Sequence, residues 1–136
     1  MYVLDTNVIS ELRRSRPNPE VLAWLLRTGD EQLFIAAVTF GELQAGVEMT
    51  RRQDRSKAAA IETWIDEVSV SYSVIPADEI IFRQWARLMH RKSDDLIEDA
   101  LIAATALVRQ MSVVTRNVRD FEQFGVPTVD PFQRAG

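Results

Sequence analysis

The chain has no cysteine and one histidine in 136 residues. Without thiols there is no disulfide framework, no cysteine nucleophile and no thiolate-ligated zinc. A single imidazole, His90, cannot supply the nitrogen ligands of a zinc centre within one chain. Ser-His-Asp chemistry would have to run through His90, and no nucleophile motif accompanies it. The apolar runs are short, and none nears the ~20 residues of a membrane span. No glycine-rich loop ends in Lys-Ser or Lys-Thr, which excludes a Walker-type NTPase. The chain opens on Met-Tyr-Val-Leu-Asp with no basic stretch leading into a long apolar one, so no signal peptide is predicted. Together with the missing cysteines this points to the cytoplasm.

What remains is ordinary for a globular protein: 46% apolar and 26% charged residues. Neither repeat, low-complexity tract nor linker interrupts the chain, so a single domain spanning residues 1–136 is expected. The net charge of −4 and a pI near 5.0 argue against generic, charge-driven binding to nucleic acid. All of the 16 basic residues except Lys57 and Lys92 are arginine, however. They cluster around Arg13, Arg14 and Arg16, around Arg51, Arg52 and Arg55, and around Arg83, Arg87 and Arg91. Guanidinium forks suit phosphate oxygens, and Arg51, Arg52 and Arg55 are candidate RNA contacts. The plainer reading of each cluster is a solvated helix face.

Strand-like and helix-like segments alternate. Tyr2-Val3-Leu4, Leu33-Phe34-Ile35-Ala36, Val74-Ile75, Ser112-Val113-Val114 and Pro127-Thr128-Val129 read as strands. Helices are predicted over Asn7–Arg13, from Pro19 (capped by Asn18) to Thr28, after a Thr39–Glu42 capping box, over Gln53–Val70, over Ala77–Lys92 and over Ile97–Gln110. Trp24, Trp64 and Trp85 could stack RNA bases, but they fall at helical spacing with other apolar residues and are expected to pack in the core or a dimer interface. The Ile80–Met89 stripe is core or dimer interface. This alternation predicts an α/β fold, a three-layer α/β/α domain with a mainly parallel central sheet. The functional crevice of such folds lies at the carboxyl ends of the strands.

Four acids map to that rim. Asp5 follows the first strand, and Glu42 falls in the first turn of the helix after the second. Asp99 begins the Ala-rich helix, and Asp120 lies in the loop after Ser112–Val114. Carboxylates gathered in one crevice repel each other unless a cation lies among them. Mg²⁺ or Mn²⁺, which prefers oxygen ligands, relieves that repulsion and suits phosphodiester hydrolysis, where a carboxylate not needed as ligand can act as general base. Thr6, Asn7, Thr115 and Asn117 supply neutral hydrogen-bonding groups beside these acids. Plainer roles stay open: a helix cap for Asp5, the capping box for Glu42, helix-dipole complementation for Asp99 and a surface turn for Asp120.

Four segments carry a resemblance. Leu4-Asp5-Thr6-Asn7-Val8-Ile9-Ser10-Glu11-Leu12 resembles the opening of PIN-domain ribonucleases, specifically the VapC-like toxins of type II toxin–antitoxin pairs. Thr39-Phe40-Gly41-Glu42-Leu43-x-x-Gly46, Asp99-Ala100-Leu101-Ile102-Ala103-Ala104-Thr105-Ala106 and Thr115-Arg116-Asn117-x-x-Asp120-Phe121 are similar to that family's second, third and fourth motifs. The Pro17-Asn18-Pro19 and Trp24 segment resembles the FitB-like subgroup. The resemblance implies a metal-dependent endoribonuclease acting on structured RNA such as tRNA or rRNA. It implies Mg²⁺ or Mn²⁺ at Asp5, Glu42, Asp99 and Asp120, with Asp5 and Asp99 as the metal ligands and Thr115 and Asn117 in support. It also implies a homodimer and a VapB-like antitoxin that inserts a basic side chain into the acidic site, the joint complex binding promoter DNA. One departure is the acidic run Ser93-Asp94-Asp95-Leu96-Ile97-Glu98 before Asp99, where the family often has Pro or Gly; Glu98 is expected to face solvent.

Two other readings compete. A catalytically weak module of the same fold could act with a partner on promoter DNA, but all four acids are present. A phosphatase of the haloacid-dehalogenase type needs a second Asp two residues after the first, and Asn7 stands there.

Overall fold

The computed structural model describes residues 1–134. Five short strands form one parallel sheet: β1 (Tyr2–Leu4), β2 (Leu33–Ala36), β3 (Ser73–Ile75), β4 (Ser112–Val114) and β5 (Thr128–Val129). Their order is β3-β2-β1-β4-β5. The register aligns Tyr2 of the central strand with Leu33 on one side and Ser112 on the other. The chain winds outward from β1 through β2 to β3, then returns to the other side of β1 for β4 and β5. The winding direction therefore reverses between β1 and β4, and strand ends splay into a crevice at such a point.

Side chains alternate across each strand. Val3, Ala36, Ile75 and Val113 enter one core cluster, and Leu4, Leu33, Ile35 and Val114 enter the other. Among the described residues seven α-helices supply the outer layers: α1 (Thr6–Glu11), α2 (Pro19–Thr28), α3 (Ala37–Arg51), α4 (Arg55–Ser71), α5 (Glu79–Met89), α6 (Ile97–Arg109) and α7 (Val118–Glu122). Helices α1, α2 and α4 cover one face through Val8, Ile9, Val21, Leu25 and Val68. Helices α5, α6 and α7 cover the other through Ile81, the Ala100–Ala106 stretch and Phe121. Every residue from Ala100 to Ala106 is buried, which fits a helix enclosed on all sides rather than one with a wet face. A satellite cluster of Val47, Ala58 and Ile65 joins α3 to α4. Among the described residues no helix is long and apolar enough to cross a membrane.

The three-layer architecture agrees with the sequence reading, and several local details differ. Helix α3 begins at Ala37, not at Thr39. Ala36 still pairs with Ile75 in the sheet, so strand runs into helix with no residues left for a turn. Thr39 is thus inside the helix, its buried hydroxyl without a hydrogen-bond partner, and no capping box forms with Glu42. Helices α4 and α5 start later than expected because Asp54 and Asp78 cap them, accepting from the Lys57 and Ile81 amides at 3.0 and 2.9 Å. Asp120 is not in a loop but on α7. The Ile80–Met89 stripe divides: Ile81 is fully buried, while Ile80 is exposed along with its neighbour Phe82. Asn18 caps α2 as expected, accepting from the Glu20 amide at 2.8 Å with Pro19 as the first helical residue.

Glu11, which the sequence reading left outside the site, is buried and structural. Its carboxylate accepts from the Asn18 amide at 2.7 Å and from Arg14 at 3.3 Å, closing the connection between α1 and α2. Phe121 is fully buried and anchors α7 to the sheet. Phe121→Ala is expected to lower stability by about 3–5 kcal/mol, read by urea unfolding. A loss below about 1 kcal/mol would show that α7 is held in another way.

Candidate active site

Asp5 is nearly fully buried at the end of β1. Its amide donates to the Val114 carbonyl of β4 at 2.9 Å, so the backbone leaves the sheet in line with its neighbour. The carboxylate is held on both oxygens. Oδ1 accepts from the Thr6 amide at 2.8 Å, which caps α1. Oδ2 accepts from the Thr115 hydroxyl at 2.8 Å and from the Asn7 side-chain amide at 3.1 Å. Thr115, fully buried just after β4, also accepts from the Asn117 amide at 2.9 Å. The Arg116 amide donates to Asn7 Oδ1 at 3.3 Å. The cap reading of Asp5 holds through Oδ1, while Oδ2 is engaged by Thr115 and Asn7 from the other side. Thr6, Asn7, Thr115 and the Asn117 backbone all belong to the network around it.

Glu42 reaches the same rim from the second turn of α3, where the Thr6 hydroxyl donates to its Oε1 at 3.2 Å. Asp99 is in the first turn of α6 and Asp120 in the first turn of α7. Several of these acids act on one another electrostatically. Burial pushes Glu42 up to about 7, and the neighbouring charges of Asp5, Glu98 and Asp99 push in the same direction. Burial likewise raises Asp99 to about 6, with Asp5, Asp120, Glu98 and Asp95 adding to it. Asp5 is raised by burial and by the Asp120 charge, against the opposing pull of its three hydrogen bonds. Glu98 is exposed, as expected from the sequence, but its charge acts on both Glu42 and Asp99.

Such a donor set fits a hard cation. It is all oxygen, it is crowded with like charge, and the charges acting most on Glu42 and Asp99 are negative. Among the described residues no three acidic or histidine side chains form a closed ligand cluster. Mg²⁺ needs none, since it is held by one or two carboxylates and keeps several waters.

Arg51, Arg52 and Arg55 are not brought to the acids. At ~1.5 Å rise per residue, α3 carries Arg51 roughly 14 Å beyond Glu42. Arg51 is also paired with Glu48 and Glu62, each at 3.1 Å. Trp24 and Trp64 pack against the core, and Trp85 donates its indole N–H to the Ile97 carbonyl at 3.1 Å.

The model of the PIN domain matches residues 2–126. The chain belongs to the PIN-domain family. Among PIN proteins it is 34% identical to the VapC ribonuclease Y4jK of Sinorhizobium fredii, over 99% of this chain and 100% of that one. It is 31% identical to toxin FitB of Neisseria gonorrhoeae, over 97% of this chain and 99% of the toxin. A solved structure of FitAB bound to an IR36 DNA fragment superposes with a TM-score of 0.83 at 29% identity, covering 100% of this chain and 99% of that one. The PIN chain thus falls with the VapC-like toxins that its four motif segments resemble and with the FitB-like subgroup that its Pro17–Trp24 segment resembles.

Raised acids fix the sign of a pH effect. The share of stability tied to Glu42 is fully present below about 4.5 and is lost as pH rises through about 7; that of Asp99 is lost between 3.8 and about 6. The native state holds these protons longer than the unfolded chain does. In EDTA the protein is therefore expected to be less stable at pH 8 than at pH 5. Glu42→Gln should recover part of the difference, on the order of 1 kcal/mol once solvent screening of a half-buried group is allowed for. Urea unfolding at the two pH values reads this, and an identical pH dependence in wild type and variant would remove the assignment.

Proposed function

We propose that the chain is a metal-dependent endoribonuclease, the toxin of a type II toxin–antitoxin pair, which hydrolyses phosphodiester bonds in structured RNA such as tRNA or rRNA. The observation that carries this reading is the buried Asp5 carboxylate, fixed on both oxygens, with Glu42, Asp99 and Asp120 within electrostatic reach at a strand-end crevice. Asp5 and Asp99 hold Mg²⁺, for which Mn²⁺ can substitute. When bound, the ion neutralises the acids and activates water for in-line attack on phosphorus. Thr115, Asn7 and the Thr6 amide keep Asp5 in one rotamer, so that no reorganisation accompanies the reaction. Glu42, anchored through Oε1 by Thr6, keeps Oε2 to accept the proton of the attacking water. Asp120, on α7, adds its charge beside Asp5 and Asp99, and the exposed side chain of Asn117 is available to a phosphate oxygen.

The same crowd of acids is a receptor for a protonated side chain. A VapB-like antitoxin silences the toxin by inserting a basic residue there, and the pair binds its promoter DNA. The structural neighbour FitAB, bound to a DNA fragment, supports the DNA-binding part of this reading. Two copies of the chain pair; the exposed Ile80, Phe82 and Ile97 support this. A second reading, a catalytically weak module acting with its partner on DNA, draws on the lack of a closed ligand cluster among the described residues.

The deciding experiment is incubation of total cellular RNA with partner-free protein, with Mg²⁺ or Mn²⁺, with EDTA, and with Asp5→Asn alongside. Discrete fragments are expected only with metal and Asp5, and Asp5→Asn should lower the rate at least about a hundredfold. Intact RNA in the presence of folded, metal-loaded protein would select the second reading. Full activity of Asp5→Asn would discard the acidic site.

A further inference from the structure

Two cavities adjoin the acids, and each shares one acid with them. The first, about 360 Å³, opens between the end of α1, α3 and α4, and is lined by Ser10, Arg13, Arg14, Glu42 and Trp64 among others. A further depression of about 200 Å³ continues it past Arg13 and Trp64 to Lys57. The second cavity, about 580 Å³, includes Arg116, Asn117, Arg119 and Asp120 in its wall. The sheet order places these openings. Glu42 follows β2, Asp5 follows β1 and Asp120 follows β4, and these strands are neighbours in the order β2-β1-β4. The acids therefore form a row along the rim, with an arginine-lined cavity at each end.

We propose that these cavities are the two halves of a track for single-stranded RNA, with Arg13 on the phosphate at one side of the scissile bond and Arg116 with Arg119 on the phosphate at the other. The proposal rests on the nuclease reading above and adds the path of the substrate. A row of carboxylates on a chain of net charge −4 repels a polyanion, so cations beside the row are needed to hold one there. The arginines suit that task unequally. Arg14 is committed to Glu11 at 3.3 Å, whereas Arg13 and Arg119 have no ion-pair partner among the described residues. The Arg116 guanidinium lies 4.0 Å over the Phe132 ring, a contact that uses the face of the cation and not its N–H donors, and Arg116 has no ion-pair partner among the described residues. Trp64, half-buried in the wall of the first cavity, offers a flat apolar surface to a base. The depression lined by Glu48, Arg51, Arg52 and Arg55 shares no residue with the row of acids and lies off this path.

The test uses the full chain in EDTA and a short fluorescein-labelled single-stranded RNA of mixed sequence, followed by anisotropy across a KCl series. Arg13→Gln and Arg119→Gln are each expected to weaken binding about tenfold. Each should also flatten the plot of log affinity against log salt by about 0.7. Arg109→Gln, at the far end of α6 from Asp99, should change neither. In metal-dependent cleavage, Arg13→Gln should raise KM and leave kcat unchanged. Wild-type affinity and slope in both variants, in a protein that still cleaves RNA, would overturn the track and leave the nuclease reading standing. An equal loss in Arg109→Gln would reduce the effect to net charge and overturn it as well. Unchanged RNA binding with weakened binding of a poly-glutamate peptide in Arg13→Gln would give the first cavity to an acidic protein segment instead. Failure of the nuclease reading is separate, being read from wild-type RNA cleavage alone.

Discussion

A carboxylate buried between two strand ends has to be hydrogen-bonded on every side or it destabilises the fold, and Asp5 meets that requirement with donors drawn from both sides of the sheet's switch point. The Thr6 amide comes from its own helix, and the Thr115 hydroxyl comes from the far side of the chain. The demand fixes more than one side chain. It sets the start of α1 and draws the turn after β4 against β1. It also orients Asn7 so that its carbonyl oxygen accepts from the Arg116 amide. Thr115 is buried because its hydroxyl is consumed in this way, as donor to Asp5 and acceptor from Asn117. The site is thus the point where the two halves of the sheet are tied, and its geometry and the stability of the rim have a common origin.

Crowding sets the other constraint. Glu42 and Asp99 are raised because each is partly desolvated beside carboxylates of the same sign. As pH rises through about 6 and 7 these groups ionise at a cost that the unfolded chain does not carry, so the ionised crowd works against the fold. Anything positive that enters relieves this, whether a metal ion or a side chain of a partner. On the proposed function, metal binding and inhibition by a partner share this one electrostatic cause. The acidic run before Asp99 intensifies it, since Asp95 and Glu98 act on Asp99 without being buried themselves.

Much of the fold was legible because its strands are short apolar runs and its helices carry periodic stripes. Tyr2–Leu4, Leu33–Ala36 and Ser112–Val114 appear where the apolar pattern put them. The acids were legible as a group because each follows a strand or opens a helix, and position along a parallel sheet brings those places to one edge. What failed was local. Thr39 and Glu42 have the spacing of a capping box, but Ala36 is still paired in the sheet and the helix starts before Thr39 can cap it. Asp120 was read as a loop residue because α7 is five residues long, too short to show periodicity. Ile80 and Ile81 are alike in sequence, and only the direction of α5 over the sheet decides that Ile81 is buried and Ile80 is not. Glu11 gave no sign of its role, since its partner amide at Asn18 becomes its neighbour only after the chain turns.

The bond between Asp5 and Thr115 spans 110 positions of sequence. During synthesis β1 can pair with β2 early, but its other edge stays open until β4 leaves the ribosome. Until then Asp5 lacks its hydroxyl donor, and α7 with Asp120 has not yet followed β4 onto the sheet. A nascent or truncated chain therefore carries the residues of the site without the site. Assembly of the acidic rim is thus tied to the longest-range pairing of the sheet rather than to any local segment.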